Sequence, residues 1–594
     1  MIDRILQINQ ALDFDFRRLA NPADAFAHRF NEWVPYYRMK AAIAQALKPK
    51  TILEIGVRYG YSGAAFLHGA PQAHYTGIDL DADSFGGEKG AIEWARRILP
   101  AGQFELVVAD TQKLPRFPGG IYDLVHVDGQ QDEAGTFHDL VLAVRQARFI
   151  LVDGYFWTQE NYSAVNDFLW RFREDVEYYG VIPGYAGEML IKIKAPPESM
   201  AAASPAVASA AIRSLYTADY FLKNCGGWEF FGNDGSQILQ DGRLRSMADL
   251  LFARPGRRVL DLGAGRGELT VLAALAGCEV TAVDYSPAAV DILRTSLAAL
   301  PATAGKVECI CADVTTFEAG EGYDTILAGD VIEHLSPAEL ELLYTRVARW
   351  LGPDGRFIVH TFPNRWFYDY AHRWRRAEAR RLGARLPANP RSRYELLMHI
   401  NEQSPRILRR SLRRHFPHVC LWFGSPEDPG GSLVRRVSHR ALAEYRDLYA
   451  IASPAAIDQA GLAALFTSGP LQENDFLLEI IAAPATAGSG QQLRCAVRVT
   501  NRSRHSVLAS RPPFPVYLSY RWLDSGGQTL PLEGWRNLLS PALGPDQSHT
   551  YHMQVIMPDR TGTYRLVFSL VQEQQSWLCD TRPELCPGQT VVVS

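Results

Sequence analysis

Three hydrophobic patterns follow one another along the chain. The first is a series of short apolar runs: TILEIGV from Thr51, HYTGIDL from His74, FELVVAD from Phe104, YDLVHVD from Tyr122, FILVDGY from Phe149 and EMLIKIK from Glu188. Helix-length amphipathic segments separate them. β-Branched runs alternating with helices predict parallel strands joined by crossover helices. A second series has the same order: RRVLDLGAG from Arg257, CEVTAVD from Cys278, VECICAD from Val307, YDTILAG from Tyr323 and GRFIVHTF from Gly355. Two series predict two doubly wound α/β domains. From about 475 the pattern changes to strict alternation, as in QLRCAVRVTN, VYLSYRWLD and TYRLVFSLVQ, broken by Gly, Pro and Asn turns. That is the pattern of an all-β sandwich.

Punctuation sets the boundaries. Residues 195–212, APPESMAAASPAVASAAI, read as a Pro/Ala/Ser linker. The expected layout is a first α/β domain over 1–194, the linker, a second α/β domain over 213–425, a helical connector over 426–474 and the sandwich over 475–594. A length of 594 residues fits this division. Apolar residues at 47% and charged residues at 21% are those of an ordinary globular protein. The formal charge of −4 argues against a dedicated nucleic-acid binder, which would carry a basic excess. Eight cysteines over this length imply no disulfide framework. No run of 18 apolar residues and no apolar core at the N-terminus are seen, so a cytoplasmic protein is expected, with peripheral contact to the inner membrane face allowed.

The chemistry is plainest in the second domain. Asp261 ends an apolar strand, and Gly263, Gly265 and Gly267 follow at alternate positions. Such a loop lets a ligand approach the backbone and leads into a helix N-terminus with free N–H groups. A dinucleotide fingerprint would need glycine where Glu268 stands. Asp284 closes the next strand, where a carboxylate can accept two ribose hydroxyls, and Asp313 closes the third. Loop, Asp284, Asp313 and the stretch Gly329-Asp330-Val331-Ile332-Glu333-His334-Leu335, in that order, resemble the class I S-adenosylmethionine-dependent methyltransferases. The resemblance implies that Asp261, Gly263, Gly265 and Gly267 surround the methionine part of S-adenosylmethionine, with Asp284 at the ribose and Asp313 at the adenine.

Methyl transfer chiefly requires alignment of nucleophile, methyl and sulfur, which can be worth ~7–11 kcal/mol. An alcohol acceptor also needs a base. Asp330, Glu333 and His334 are the candidates, at i, i+3 and i+4 spacing on one face of a turn and helix. The stretch is similar to the E-x-x-E-H of some O-methyltransferases, including ubiquinone-pathway enzymes, where it can hold a divalent metal. Aspartate in the first place shortens the reach, and a metal is the less favoured reading.

The first domain carries a variant of the plan. Glu54, Gly56 and Gly60 form the loop, and Asp79 and Asp110 follow the next two strands. With Asp128 and Asp153 these residues resemble metal-assisted O-methyltransferases of sugars and antibiotics. Gly154 stands in place of a second metal-binding acid, and Gln130 where some relatives place a base. Two acids leave a hard cation short of ligands, so no metal is assigned. Arg58 lies inside the loop, where it would either crowd a sulfonium or pair with the cofactor carboxylate. An active domain and an inactive platform both remain open.

Two arginine clusters, Arg373 to Arg385 and Arg406 to Arg414, fall where class I enzymes often place acceptor-binding insertions, with Trp366, Phe367, Tyr368, Tyr370 and Trp374 among them. The C-terminal strands look like immunoglobulin-like modules of bacterial surface-polysaccharide enzymes. Tyr520, Trp522, Trp535 and Trp577 are either sugar-stacking faces or core. The resulting expectation is a methyltransferase acting on a sugar hydroxyl of a cell-surface glycan or its lipid-linked precursor. The alternatives are a glycan-binding assembly protein that uses the folds as scaffold, and a natural-product tailoring enzyme. Oligomeric state is not legible.

Overall fold

The computed structural model describes residues 1–84, 86–194, 215–231, 241–252, 258–298, 300, 304–467, 476–503, 509–511, 514–532 and 534–594. The expected linker, 195–212, lies outside these. The chain divides into two units, one of residues 1–214 with 374–398, the other of residues 215–373 with 399–594.

In the first unit the apolar runs become β1 (Thr51–Ile55), β2 (His74–Asp79), β3 (Phe104–Val108), β4 (Tyr122–Val127), β5 (Ala147–Val152), β6 (Val176–Ile182) and β7 (Glu188–Ile193). They form one sheet in the order β3-β2-β1-β4-β5-β7-β6. The first five strands are parallel, and β7 runs antiparallel between β5 and β6. Strand order reverses between β1 and β4, which opens a crevice beyond their C-terminal ends where ligands of open α/β sheets bind.

Residues 374–398 belong to this unit although the sequence places them in the second domain. Arg376 and Arg385 pair with Glu133, and Arg393 pairs with Asp175 at 2.6 Å. These three arginines are thus tied into the first unit by its own acids, not displayed as part of an acceptor site of the second domain.

The second unit repeats the sheet with β8 (Arg258–Leu262), β9 (Glu279–Asp284), β10 (Val307–Cys311), β11 (Tyr323–Gly329), β12 (Leu351–Thr361), β13 (His418–Gly424) and β14 (Asp447–Ser453). The order is β10-β9-β8-β11-β12-β14-β13, strand for strand that of the first sheet. β14 corrects the expected helical connector over 426–474. Its described residues carry three short helices, but Asp447–Ser453 is a wholly buried strand between β12 and β13. A short apolar run buried on both faces shows no periodicity, so pattern alone cannot distinguish it from a helix segment.

Beyond it, Phe476–Ala482, Gln492–Asn501 and Ser548–Ile556 form a three-stranded sheet. Val516–Leu523, Gly562–Gln572 and Gly588–Val593 are the main strands of a second sheet. Side chains of both, such as Leu478, Val497, Leu518, Val555 and Phe568, share one core. Tyr520 and Trp522 belong to that core, Trp577 carries the guanidinium groups of Arg521 and Arg536 over its ring, and Trp535 is exposed. This β module is fastened to the second α/β domain through buried Asp249, which pairs with Arg511 and accepts the Ala542 amide at 2.7 Å. Among the described residues no helix is long and apolar enough to cross a membrane, and no disulfide joins any of the eight cysteines.

Candidate active sites

In both sheets the turn after the first strand is built around left-handed backbone. Gly263, Gly265 and Gly267 have φ of 67°, 55° and 86°. A Cβ on Gly267 would lie 2.1 Å from Leu293 Cδ1. The loop is also tied to the acid after the second strand. Asp284 accepts the Gly265 amide at 2.9 Å and the Ser286 amide at 2.8 Å. Burial raises the Asp284 pKa against the opposing pull of those two amides. Asp261 is buried and accepts from Thr270 Oγ1 at 2.6 Å, and burial pushes its pKa up to about 7. Asp261 thus braces the loop from beneath. Asp313 accepts from the amide and hydroxyl of Thr315 at 2.9 and 2.7 Å, which fixes the turn after β10.

The sequence did not reveal the role of Arg266. Its buried guanidinium donates to the carbonyls of Phe221, Cys225 and Gly226 at 3.0, 3.2 and 2.8 Å, holding the segment before the sheet across the glycine loop. Ser286 Oγ adds a bond to the Tyr216 carbonyl at 2.8 Å.

Asp330, Glu333 and His334 do not share one face of a helix. Asp330 has φ of 54°, Ile332–His334 is a single 3-10 turn, and the helix proper begins at Pro337. The three side chains therefore take different directions. Asp330 binds Arg243 and, at 2.6 Å, the Nδ1 of buried His360. Burial alone would raise its pKa, but Arg243 and His360 hold it well below the usual carboxylate range. His360 is pushed up to about 10, since Asp330 and Asp447 outweigh the opposing effect of burial. Glu333 turns inward to accept from Thr361 Oγ1 at 2.9 Å, and burial, reinforced by Asp330, pushes it up to about 8. His334 stays half-buried, its ring 4.8 Å from that of His399 and 5.8 Å from that of Tyr216. Glu333, His334 and His399 each offer a ligand atom within 4.8 Å of the others, and Glu333 Oε1 is a buried acceptor with no hydrogen bond. A carboxylate and two imidazoles suit a borderline transition-metal ion. Asp330, committed to Arg243 and His360, is not part of this group. His399, Thr361 and His360 come from distant elements, and nothing in their local sequence marks them.

In the first domain Asp79 accepts the Val57 and Arg58 amides at 2.7 and 2.8 Å, the counterpart of Asp284 and its loop. Gly56 has φ of 90°, and a Cβ there would lie 2.1 Å from the Asp128 carbonyl oxygen. Gly60 caps the following helix in left-handed conformation. Asp110 caps the turn after β3 and pairs with Lys113 at 3.0 Å. Arg58 does not point a free cation at a sulfonium, because Asp24 holds its guanidinium at 2.7 and 3.0 Å. A cavity of about 520 Å³ opens here, with Gly56, Asp79, Asp110, Asp128 and Asp153 in its walls and Trp33, Tyr36, Tyr37, Trp157 and Tyr185 around them.

Glu54 does not reach that cavity. It is fully buried, bonded to Tyr75 Oη and, at 2.8 Å, to His126 Nδ1. His126 Nε2 lies 2.9 Å from Lys40 Nζ, which also pairs with Asp153 at 3.0 Å and Glu188 at 3.3 Å. An ammonium can only donate, so Nε2 accepts and Nδ1 carries the proton toward Glu54. Lys40 has no exposed surface, and Asp153 and Glu188 outweigh burial to keep it protonated. Tyr36 Oη completes the set at 2.7 Å from Asp153. Gln131, not Gln130, reaches the carboxylates, at 3.1 Å from Asp128 and 3.2 Å from Asp153. Gly154 is left-handed against the Gln131 side chain, which would have to give way to a second acid there. The metal implied by the resemblance does not fit beside this lysine. A divalent ion ~4 Å from a fixed ammonium would meet repulsion of about 8 kcal/mol at an effective dielectric of about 20.

Comparison with known proteins agrees with this geometry. Two family models, each described as a methyltransferase domain, match residues 53–150 and 259–355. (S)-Coclaurine N-methyltransferase of Papaver somniferum is 32% identical over 144 residues, covering 23% of this chain and 40% of that protein. The mitochondrial ubiquinone biosynthesis O-methyltransferase of Schizosaccharomyces pombe is 29% identical over 140 residues, covering 23% and 50%. The chain thus spans half or less of the length of these relatives. Among solved structures, the PH0226 protein from Pyrococcus horikoshii OT3 covers 38% of this chain and 98% of its own at 19% identity and a TM-score of 0.27.

Fold, loop geometry and family models together define two Rossmann-like class I methyltransferase domains in tandem. The cofactor of that class is S-adenosylmethionine.

Proposed function

We propose that the chain is an S-adenosylmethionine-dependent methyltransferase in which both α/β domains bind the cofactor and the second transfers methyl to a hydroxyl. His334 carries the reading. It is half-buried in the 3-10 turn that follows β11, its ring 4.8 Å from that of His399 and 5.8 Å from that of Tyr216, whereas Asp330 binds Arg243 and His360 and Glu333 turns inward to Thr361. In this reading the loop and Asp284 hold the cofactor, and His334 accepts the acceptor's proton as the C–S bond breaks and the C–O bond forms. S-adenosylhomocysteine and a methyl ether leave. Should Glu333, His334 and His399 instead hold a divalent ion, that ion would polarise the acceptor hydroxyl.

The acceptor we favour is a sugar hydroxyl of a cell-surface glycan or its lipid-linked precursor, met on the cytoplasmic side. The immunoglobulin-like reading of the β module supports this, with exposed Trp535 available to a sugar face. A second reading, methylation of a small-molecule amine or phenol, draws on the likeness to the N- and O-methyltransferases named above. Deuterated S-adenosylmethionine supplied with glycan extracts, and separately with phenols and secondary amines, distinguishes them by which product gains mass. His334→Ala should lower turnover about 100-fold or more with cofactor affinity unchanged, and unchanged turnover would remove His334 from the chemistry.

A further inference from the structure

We infer that Lys40 is the resident cation of the first domain: its ammonium sits among Asp153, Glu188 and His126, where these groups would otherwise hold a metal ion, and its side chain makes the acceptor end of this domain independent of metal. The donor set alone would suit an ion. His126, Asp153 and Glu188 each place a ligand atom within 4.8 Å of the others, and Glu54, His126 and Asp128 form an overlapping group. The distances from Nζ, 2.9 Å to His126, 3.0 Å to Asp153 and 3.3 Å to Glu188, place one charged group within reach of all three.

The placement is built in. Lys40 lies on the helix Phe30–Leu47 within a stretch, Met39 to Ala44, that is buried throughout. A lysine among such residues is retained only where its charge is matched. Two carboxylates supply the match, and the Tyr36 ring lies 4.4 Å from Nζ on the same helix. Lys40 does not line the cavity, whereas Asp128, Asp153 and Tyr36 do. It is therefore a positioning residue that acts through Asp153. Without a metal bridge, chelation of neighbouring oxygens is not available. An acceptor here is held by the aromatic walls and by hydrogen bonds to Asp128 and Asp153, which suits a ring-bearing compound presenting a single hydroxyl.

The inference does not depend on the acceptor assigned to the second domain. The test uses manganese(II) as probe, followed by its paramagnetic resonance signal, on the full chain with His334→Ala and His399→Ala removing the other ligand group. That background should bind no Mn²⁺. Adding Lys40→Ala should create one site at least 100-fold tighter than any residual binding, and adding Asp153→Asn to Lys40→Ala should abolish it. A Mn²⁺ ion bound by the background and lost with Asp153→Asn would overturn the inference, as would a folded Lys40→Ala chain that binds none. Should Lys40→Ala fail to fold, the background measurement still decides, because it asks directly whether a metal displaces the ammonium.

Discussion

The two α/β domains use the same strand order and the same loop, and then place opposite charges at matching positions. Ile55 pairs with Val127 and Val127 with Val152, while Leu262 pairs with Ala328 and Ala328 with Val359. Asp153 and His360 are therefore equivalent, each the residue that follows the last of these pairs. In the first domain that place is an acid held by a buried lysine; in the second it is a buried histidine cation held by Asp330 and Asp447. One strand inward, Glu54 faces His126 across β1 and β4, whereas Asp261 faces Leu327 and turns to Thr270 instead. The glycine-loop end of the fold, where we propose the cofactor, is kept, and the end where we propose the acceptor is rewritten. That is the division expected when binding of a common cofactor sits on the strands and acceptor chemistry on their extensions.

The largest effects should come from breaking the charge networks that differ. Asp330→Ala takes the acid that bridges Arg243 and His360 out of a buried network, leaving them only Asp241 and Asp447, and should cost about 3 kcal/mol in denaturant unfolding of the second domain. The loops give a graded comparison. Gly56→Ala drives a Cβ to 2.1 Å from backbone, whereas Gly265→Ala meets nothing nearer than 3.8 Å. Denaturant midpoints should show the first costing more than ~3 kcal/mol and the second only the ~1–2 kcal/mol of left-handed alanine. Equal losses would contradict the difference in crowding around these two glycines.

The smallest effect is a pH dependence. An unfolded glutamate titrates near ~4.3, whereas Glu333 in the fold titrates at about 8. The folded state thus holds the proton more tightly, and its contribution to stability is full at low pH and fades as pH rises from ~4.5 through about 8. His360, raised to about 10, likewise contributes fully below ~6.5 and loses its contribution as pH rises through 10. Glu333→Gln should leave Tm almost unchanged at pH 4.5 and raise it by several degrees at pH 9. Parallel Tm curves for the two proteins would contradict the raised pKa.

Much of the shared half of these domains was legible. The glycine loops, Asp79 and Asp284 announce themselves because a tight turn after an apolar strand leaves few residue choices. The half that differs was not. Lys40 reads as one charge within MKAAIA, and only the fold brings it to Asp153, 113 positions away. Asp330 and Glu333 were found by spacing, but spacing assumed a helix where the chain makes one 3-10 turn, and the partners that fix their roles, Arg243, Thr361 and His360, come from elsewhere. The strand Asp447–Ser453 was missed because burial on both faces erases the alternation that would have revealed it.

The claim on which the account rests is that two cofactor sites share one chain. Calorimetric titration of the intact chain with S-adenosylhomocysteine tests it directly. Two sites are predicted, with one lost in Asp284→Ala and the other in Asp79→Ala. A single site unaffected by Asp79→Ala would reduce the first domain to a platform, and no binding to the intact chain would contradict the account altogether.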